Sequence, residues 1–433
     1  MLGCHRTGFA GAVAHRPTHG PRAAPRGGAA RHARDRRARH GGGGRTGAAR
    51  RWRVSTDTLT RHLYLHVPFC ARRCSYCDFA IAVRRTVPWE RYASAVHDEC
   101  RIRQIASRCG PLDTLYLGGG TPSRLGPEGV AATLAALAQH VQLAPDAEVT
   151  LEANPEDITD EAVASWRAAG VNRLSIGIQS FDDRVLQWMH RVHDAERARQ
   201  VVDAVRRGGI ANFSVDLIFA APAALARDWT RDVQAILSLG ADHVSLYGLT
   251  IEPGTPLGRW QARGEVQEAD ESRYEAEFLD AHARLTAAGY EHYEVSNFAL
   301  AGRRARHNSA YWRGVPYVGL GPGAHDFDGR FRRWNLSAYA AWDRAVQEGR
   351  DPMEDREALT ADNRAAEAVY LGLRTVDGLV LNAGERLHVA PWVEAGWVVL
   401  TETGGEWRAR CTATGWLRLD ALAADLTAFR GRS

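Results

Sequence analysis

Three of the seven cysteines, Cys70, Cys74 and Cys77, lie within eight consecutive residues in a C-x3-C-x2-C arrangement. Thiolates at this spacing can hold one face of an iron–sulfur cubane on a single loop. Such a cluster usually takes a fourth cysteine, but no further cysteine follows nearby and position 79 is Phe79, so one iron would keep an open position. A zinc loop is the alternative, and it would need another ligand such as His66. The spacing favours a 4Fe-4S cluster.

The elements that must position this loop follow a strand-then-helix rhythm from residue 62 onward. Apolar strands are predicted at 62–69, 114–117, 148–151, 173–178, 213–218 and 243–249. Helices are predicted from Pro88 and through 127–140, 160–169, 195–207, 226–239 and 270–288. Four of them end at a glycine that allows a left-handed turn: Gly170, Gly208, Gly240 and Gly289. Six such units predict parallel crossovers, in an open doubly wound sheet or in a full or partial barrel.

Polar residues and glycines lie at the predicted strand ends. Because the carboxyl ends of parallel strands gather at one edge of a sheet or barrel, we expect these residues to lie close together. After the second strand, the backbone N–H groups of Gly119 and Gly120 can approach an anionic group closely, and Thr121 follows them. The later strands carry Glu152, Gln179 and Asp216. The arrangement predicts one site at the rim.

Charge and composition exclude several classes of protein. Residues 1–53 hold 13 Arg and one acid, which leaves 42 Arg against 50 acids, a formal charge of −8, in the rest of the chain. This acidic remainder argues against nucleic-acid binding. No apolar run approaches the ~20 residues of a membrane helix. The other four cysteines are scattered, which favours a reducing, cytoplasmic setting over a disulfide framework.

The two ends of the chain differ from the middle. Residues 1–58 are predicted to be a disordered Arg/Gly-rich tail, either from a mis-called start, with Val54 as an alternative initiator, or as a mitochondrial transit peptide. Near the other end, a helix over 362–374, strands at 397–401 and 406–411 around a Gly-Gly turn, and a helix over 417–429 are predicted. This pattern predicts a small α+β, winged-helix-like C-terminal domain.

The cysteine loop follows a first strand and has an aromatic residue, Tyr76, before its third cysteine, and in this it resembles the radical S-adenosylmethionine (SAM) superfamily. The resemblance implies that the amino and carboxylate groups of SAM chelate the open iron. An electron from the cluster can then cleave SAM to methionine and a 5′-deoxyadenosyl radical. The resemblance also implies an α/β fold, a partial (β/α)6 radical SAM barrel, which agrees with the six units.

Further segments are similar to a narrower group, that of oxygen-independent coproporphyrinogen III dehydrogenase and the heme chaperone HemW. They are YLHVPFC at 64–70, GGGTP at 118–122, LEANP at 151–155, NRLSIGIQSF at 172–181 and RVH at 191–193. By this resemblance, Gly119 and Glu152 contact the cluster-bound SAM, with Tyr64 beside it. The positions that match a second SAM in the dehydrogenase are Gln179, Arg191 and Asp216.

Three features separate a heme chaperone from a dehydrogenase, and the first is the N-terminal segment that closes over substrate in the dehydrogenase, a role for which residues 1–53 are too rich in Gly and Arg. The dehydrogenase carries another cysteine two residues after the third, where this chain has Phe79. The segment HNSAYW at 307–312 matches a motif associated with heme binding in the chaperone group, in which His307 would be an axial ligand and Tyr311 and Trp312 would offer flat apolar surface. The resemblance therefore favours a heme chaperone, with coproporphyrinogen III dehydrogenase as the alternative.

The predicted organisation follows from these assignments. The domains are the tail at 1–58, the barrel at 59–300, a connecting segment with the heme motif at 301–350 and the C-terminal domain at 351–433. The expected cofactors are a 4Fe-4S cluster, SAM and heme. The expected partners are an unknown heme-acceptor protein and a reductant such as flavodoxin or ferredoxin, with no nucleic acid. No residue is assigned a catalytic role.

Overall fold

A computed structural model describes residues 59–432, so the predicted tail over 1–58 lies outside the described residues. The strands, in chain order, are β1 (Thr60–Val67), β2 (Phe69–Cys70), β3 (Ala82–Val83), β4 (Cys109–Gly119), β5 (Leu143–Ala153), β6 (Arg173–Gln179), β7 (Asn212–Phe219), β8 (His243–Gly248), β9 (Glu291–Glu294), β10 (Asn297–Ala299), β11 (Val318–Leu320), β12 (His325–Phe327), β13 (Phe331–Asn335), β14 (Met353–Ala358), β15 (Leu379–Leu381), β16 (Val398–Thr403) and β17 (Glu406–Cys411). The helices are α1 (Trp89–Ile102), α2 (Gly126–Ala138), α3 (Asp160–Ala168), α4 (Asp183–Trp188), α5 (Ala195–Arg207), α6 (Trp229–Leu239), α7 (Pro256–Ala262), α8 (Glu271–Ala287), α9 (Arg306–Trp312), α10 (Tyr339–Gln347), α11 (Ala361–Arg374), α12 (Ala383–His388), α13 (Ala390–Glu394), α14 (Ala413–Trp416) and α15 (Leu419–Arg430).

Nine of these strands form the main sheet, in the order β11-β1-β4-β5-β6-β7-β8-β10-β9. β1 and β4 to β8 are parallel, and they confirm the six predicted strands. β11 joins β1 in parallel, whereas β10 joins β8 and β9 joins β10 in antiparallel fashion. Within residues 59–432, the edge strands β11 and β9 do not pair with each other, so a fully closed barrel is excluded.

β6 shows how the sheet separates two environments. All seven residues of this strand are buried, as is typical of parallel strands that are covered on both faces. Successive side chains point to opposite faces. One set belongs to the main hydrophobic core: Leu174, Ile176 and Ile178. The other set is polar or small: Arg173, Ser175, Gly177 and Gln179. One face of the sheet therefore supplies stability, and the other can carry chemistry.

The predicted helices are confirmed, with one correction at a helix end. After α5, Gly208 keeps a right-handed backbone with φ −68°, and Gly209 takes the left-handed turn with φ +80°. The prediction for Gly208 is therefore wrong by one residue. Gly208 is small for a packing reason, since a Cβ there would lie 2.3 Å from a side-chain carbon of Val163. The other predicted glycines do take positive φ: Gly170, Gly240 and Gly289.

The C-terminal part is a smaller α+β unit, as predicted. Its antiparallel sheet has the order β15-β17-β16, and β16 and β17 are the predicted hairpin. Backbone hydrogen bonds of 3.1 Å join this unit to the β9–β10 region, from Val295 N–H to Arg374 O and from Val376 N–H to Tyr293 O. β11 comes from the predicted connecting segment, which thus adds an edge strand to the main sheet, and the domain boundaries stay predictions. In the described part of the chain, no helix has the length and apolar character of a membrane span.

A buried carboxylate, Glu99 on α1, fixes the segment that follows β11. Its Oε2 accepts hydrogen bonds from Gly321 N–H (2.8 Å) and from the Trp342 indole N–H (3.0 Å). Its Oε1 accepts hydrogen bonds from Asn335 Nδ2 (2.7 Å) and from the Arg103 guanidinium (2.8 Å). A buried charge is tolerated because it is paired and its acceptor positions are used. Glu99 thereby ties α1, β13, α10 and the turn after β11 together.

Replacement of Glu99 by Ala should lower the free energy of unfolding by about 3–5 kcal/mol, because it leaves buried donors and the Arg103 charge less compensated. Urea unfolding followed by circular dichroism measures this loss. The matched control is Asp113→Ala, which breaks an exposed pair with Arg61 (2.5 Å) and should leave the midpoint nearly unchanged. Equal midpoints for the two variants would contradict the role given to Glu99.

Candidate cluster and cofactor site

The cysteine loop lies between β2 and β3, and its contacts with other parts of the chain hold it in place. Ser75 N–H donates a hydrogen bond to Met189 O (3.3 Å), and Ser75 O accepts one from Leu257 N–H (2.8 Å). The Arg191 guanidinium donates to Cys74 Sγ, with Nη1 at 3.6 Å. The loop is thus anchored by the segment after α4 and by the first turn of α7.

The three cysteines suit a cluster better than a single ion. All three thiols are free, and burial raises the pKa of Cys70 to about 11 and that of Cys77 to about 12. Binding of iron must therefore release protons from these thiols. Within residues 59–432, no three His, Cys, Asp or Glu side chains converge as ligands of one ion. Thiolates on one zinc ion would lie on the order of 4 Å apart, whereas those of a cubane bind different irons.

His66, the possible fourth ligand of a zinc loop, is engaged elsewhere. Its Nδ1 lies 3.1 Å from the Tyr64 hydroxyl, and its Nε2 lies 2.9 Å from Ala80 O. Burial lowers the pKa of this imidazole to about 4, so the ring is neutral at physiological pH. Because both ring nitrogens are hydrogen-bonded, His66 is not available as the further ligand that a zinc loop would need.

The glycine turn after β4 packs directly against the cysteine loop. Gly119 has φ +114°, and a Cβ at this position would lie 2.6 Å from the ring of His66. A Cβ on Gly120 would lie 2.6 Å from Pro68 O and 3.1 Å from Cys70 Sγ. A side chain at either position would therefore push the turn away from the loop. These two glycines bring the ends of β2 and β4 to the close approach that a shared cofactor site needs.

A cavity opens beside this turn, at the carboxyl ends of β4 to β7. Its lining consists of Gly120, Thr121, Glu152, Ala153, Asn154, Ser175, Gly177 and Asp216. Asp216 accepts a hydrogen bond from Ser175 Oγ (3.2 Å), and Glu152 is a second carboxylate of the lining. Two buried carboxylates beside polar groups suit the positively charged ammonium and sulfonium groups of SAM. The residues present therefore fit SAM next to a cluster.

Glu152 links the predicted SAM residues through one residue outside the prediction, Tyr116. Its Oε1 accepts a hydrogen bond from the Tyr116 hydroxyl (2.8 Å), and its Oε2 accepts one from Gly119 N–H (3.1 Å). Tyr64 stacks on Tyr116 with ring centroids 6.1 Å apart. Burial raises the pKa of Glu152, and these two hydrogen bonds oppose the shift by stabilising the carboxylate.

Three more predicted residues lie at the edge of the cavity. Arg191 Nη2 donates hydrogen bonds to Asn154 Oδ1 (2.7 Å) and to Gly177 O (2.6 Å), so it spans the ends of β5 and β6. Gln179 is buried at the end of β6 with φ +71°, a left-handed backbone that is uncommon outside glycine. Tyr76 lies beside Arg191. The structure thus brings all the rim residues predicted from the sequence to one region.

Four lining residues fall outside the predicted site: Ala153, Asn154, Ser175 and Gly177. Asn154 directly follows β5, so the argument from strand ends leads to it as well. Ser175 and Gly177 lie within β6, where only the alternation of polar or small residues with apolar ones indicates the face they occupy. Strand ends alone therefore give an incomplete list of cavity residues.

The predicted heme motif lies elsewhere, on α9. His307 Nδ1 is 2.7 Å from Thr114 Oγ1, and Thr114 precedes Gly119 by five residues on β4. Five residues of extended strand span roughly 16 Å. The motif is thus closer to the amino end of the sheet, whereas the cysteine loop and the cavity lie at the carboxyl end. The structure does not bring the heme motif and the cluster residues together.

Packing contacts engage all three residues of this motif. His307 is 1% exposed, its Nε2 lies 3.1 Å from the Tyr311 hydroxyl, and its ring stacks on Tyr116 with centroids 5.1 Å apart. Burial, with the nearby charges of His62 and Arg173, lowers the pKa of His307 to about 3. Coordination of iron by Nε2 requires that the hydroxyl of Tyr311 move away. Trp312 lies under the Arg374 guanidinium, with its ring centroid 4.1 Å from Cζ.

Comparison with known proteins identifies the fold. Residues 64–231 match the radical SAM superfamily. The structure of coproporphyrinogen III oxidase (HemN) from Escherichia coli, a radical SAM enzyme, superimposes with a TM-score of 0.71 at 21% identity, over 86% of this chain and 91% of that chain. The open parallel sheet of six β/α units with its cysteine loop is thus a radical SAM partial barrel, and the predicted fold class is confirmed.

The relatives define the family within that class. The heme chaperone HemW of Mycobacterium tuberculosis (strain ATCC 25618 / H37Rv) is 40% identical over 370 residues, which cover 84% of this chain and 94% of the relative. HemW of Synechocystis sp. (strain ATCC 27184 / PCC 6803 / Kazusa) is 35% identical, over 75% of this chain and 81% of its own length. HemW of Escherichia coli (strain K12) is 33% identical, over 69% and 79%. The chain belongs to the HemW family, which confirms the resemblance inferred from its motifs.

Replacement of Cys70, Cys74 or Cys77 by Ala should each abolish the brown colour and the bound iron and sulfide of protein reconstituted under anaerobic conditions, since three thiolates are the minimum set for the cluster. Iron analysis and visible absorbance measure the loss. Cys109→Ala is the matched control, because Cys109 is a partly buried thiol at the start of β4, away from the loop. Full cluster content in all three loop variants would contradict the assignment.

Replacement of Glu152 by Gln should raise the Kd for SAM by roughly tenfold to a hundredfold, because a charged hydrogen bond or ion pair to the cofactor is lost. Equilibrium binding of SAM to reconstituted protein measures the effect. Glu148→Gln is the control, since Glu148 is equally buried on the same strand but accepts hydrogen bonds from the first N–H groups of α9. Equal losses of SAM affinity in both variants would mean that Glu152 acts only through folding.

Proposed function

We propose that this chain is a heme chaperone that holds one 4Fe-4S cluster with exchangeable SAM, binds heme and transfers it to an acceptor protein. The observation that carries the proposal is Phe79, which stands two residues after Cys77 where the dehydrogenase group has a further cysteine. The names of the relatives in the HemW family support the same function. The fold alone does not separate chaperone from enzyme.

The cofactor assignments follow from the donor sets. Cys70, Cys74 and Cys77 would hold the cluster, and Gly119 and Glu152, beside the cavity, would hold the SAM that binds to it. When both are bound, the cluster would supply an electron, and this electron would cleave SAM. Gly120, Thr121 and Asp216 belong to the lining of this cavity. The other predicted residues would lie around it: Tyr64, Tyr76, Gln179 and Arg191. Whether they admit a second SAM is decided by the stoichiometry of SAM binding.

The axial ligand predicted from the sequence, His307, carries a structural cost. Its imidazole exchanges two hydrogen bonds, to Thr114 and Tyr311, for one bond to iron, and the flat surfaces of Tyr311 and Trp312 must be uncovered at the same time. Heme binding at the motif therefore requires α9 to move away from β4. Such a movement also withdraws the backbone N–H groups of the helix from Glu148, which accepts a hydrogen bond from His307 N–H (3.0 Å).

The second candidate function is oxygen-independent coproporphyrinogen III dehydrogenase, which would oxidatively decarboxylate two propionates of the substrate. The fold of HemN supports the architecture that this reaction uses, and the residues around the cavity beside the glycine turn include carboxylates whose charge suits SAM. Phe79 argues against this enzyme at the cluster loop.

An acceptor for heme and a reductant such as flavodoxin or ferredoxin complete the proposal for the chaperone, in a reducing cytoplasm that keeps the three thiols available.

The deciding experiment gives reconstituted protein SAM, a strong reductant and coproporphyrinogen III, and in parallel titrates the same preparation with heme. We expect heme binding at a stoichiometry near one and no protoporphyrinogen IX in the first reaction, as judged by chromatography. A reaction with authentic dehydrogenase serves as the positive control. Protoporphyrinogen formed at a rate comparable to this control would replace the chaperone with the enzyme.

A further inference from the structure

His190, at the rim beside the cysteine loop, carries an imidazole whose surroundings differ from those of the buried His307. His190 lies in the segment after α4, is partly exposed, and its ring makes no hydrogen bond in the described part of the chain. Its ring packs against Trp260, with centroids 5.4 Å apart at 76°. An imidazole with an available ring nitrogen and access to solvent is what an axial heme ligand requires.

The backbone holds His190 in place at this position. Its φ is +58°, a left-handed conformation that is uncommon for a residue with a Cβ, although histidine tolerates it better than most. The flanking residues are fixed to the cysteine loop, since Met189 O accepts a hydrogen bond from Ser75 N–H and Arg191 donates to Cys74 Sγ. His190 is therefore presented at the rim by two anchored neighbours. Strain at an anchored residue is a feature that accompanies ligand sites.

The surface beside His190 is aromatic and apolar. Trp188 and Trp260 are both partly exposed and lie 6.2 Å apart between ring centroids. They cover a small apolar cluster at the rim, separate from the main core, that includes Met189 and Leu257. Val192, two residues beyond His190, is 52% exposed. A flat apolar ligand can thus lie against tryptophan faces while the imidazole approaches its centre.

Cations without acidic partners flank the same rim. Arg72 donates a hydrogen bond to the backbone carbonyl of Arg191, directly beside His190. Arg73, also on the cysteine loop, donates to Cys77 O (3.3 Å), and Arg259 on α7 donates to Gly254 O (3.4 Å). Within residues 59–432, none of these three forms an ion pair with an Asp or Glu side chain. Their guanidinium groups are available to carboxylates, which they bind in bidentate fashion.

We infer that His190 is the axial ligand of a heme bound at this rim, with its macrocycle against Trp188 and Trp260 and its propionates toward Arg72, Arg73 and Arg259. The inference rests on the proposed function, because it takes heme as the cargo, and it names the place where the cargo binds. Heme is then held on the outside of the cysteine loop, at the carboxyl end of the barrel and open to an acceptor protein. No movement of α9 is needed.

The test titrates reconstituted full-length protein and a His190→Gly variant with ferric heme, against the same protein without heme. Glycine is chosen because it accepts φ +58° without strain, so the fold and the cluster are preserved while the imidazole is lost. We expect the Kd for heme to rise at least about tenfold and the absorbance and electron paramagnetic resonance signature of histidine-ligated iron to disappear. Added imidazole should restore that signature.

Two further variants separate the site from general effects. Trp260→Leu should weaken heme binding while it keeps the signature of a histidine ligand, because only macrocycle contact is lost. His388→Ala removes an imidazole that pairs with Asp425 in the C-terminal unit, and it should leave binding unchanged. Unaltered affinity and signature in His190→Gly would overturn the inference, and their loss in His307→Ala at unchanged SAM affinity would place the ligand on α9 instead. Absence of heme binding by the wild-type chain would instead overturn the proposed function itself.

Discussion

The hydrogen bond between Ser75 N–H and Met189 O represents the constraint on which the site depends: a loop without regular secondary structure must present three thiols in a fixed arrangement. Local sequence cannot enforce this, since the loop has few hydrogen bonds of its own, one of them from Cys77 N–H to Cys74 O (3.4 Å). The arrangement is imposed by contacts with other parts of the chain: β6, the segment after α4 and the first turn of α7. Loop, cavity and rim are therefore one structural unit.

The parallel sheet makes this unit possible because it separates stability from chemistry. On β6 the apolar set is buried under helices, and the polar set faces the other way, so that Ser175 can contact Asp216 on the neighbouring strand. Arg191 then crosses the strand ends and bonds to Asn154 and to Gly177 O. Such buried polar networks persist only when their members are satisfied by one another or by a ligand. The cavity is thus preorganised by contacts that also hold the loop.

The sequence predicts the parts of this architecture that depend on local pattern. Six apolar runs, each followed by a helical segment, predict the parallel strands and the edge at which the site lies, whereas the order of the strands comes from the structure. The three-residue strand β11 has no such pattern, and its place beside β1 depends on long-range contacts such as those of Glu99 with Gly321. Tyr116 also escapes prediction, because it lies inside β4 and acquires its role only when Glu152 arrives from β5. Motifs identify residue types, whereas the pairing of strands decides which of them meet.

The position of the heme motif follows from the same pairing. Spacing alone suggests that His307, Tyr311 and Trp312 form a ligand surface, but α9 packs against the inner face of β4, and His307 stacks on Tyr116. Burial favours a neutral ring that bonds to Thr114 and Tyr311, a structural role that a histidine fulfils as well as a ligand role.

A continuous series of contacts therefore joins the motif to the cavity. His307 stacks on Tyr116, and the Tyr116 hydroxyl donates a hydrogen bond to Glu152. Glu152 also accepts a hydrogen bond from Gly119 N–H. From these contacts we expect loss of His307 to perturb Tyr116 first and then the Glu152 carboxylate at the proposed SAM site. A drop in heme binding after such a substitution would consequently arise by either of two routes, removal of a ligand or a shift of the cofactor site. SAM affinity measured on the same variant distinguishes the two, because an iron ligand at His307 can be lost without moving Glu152.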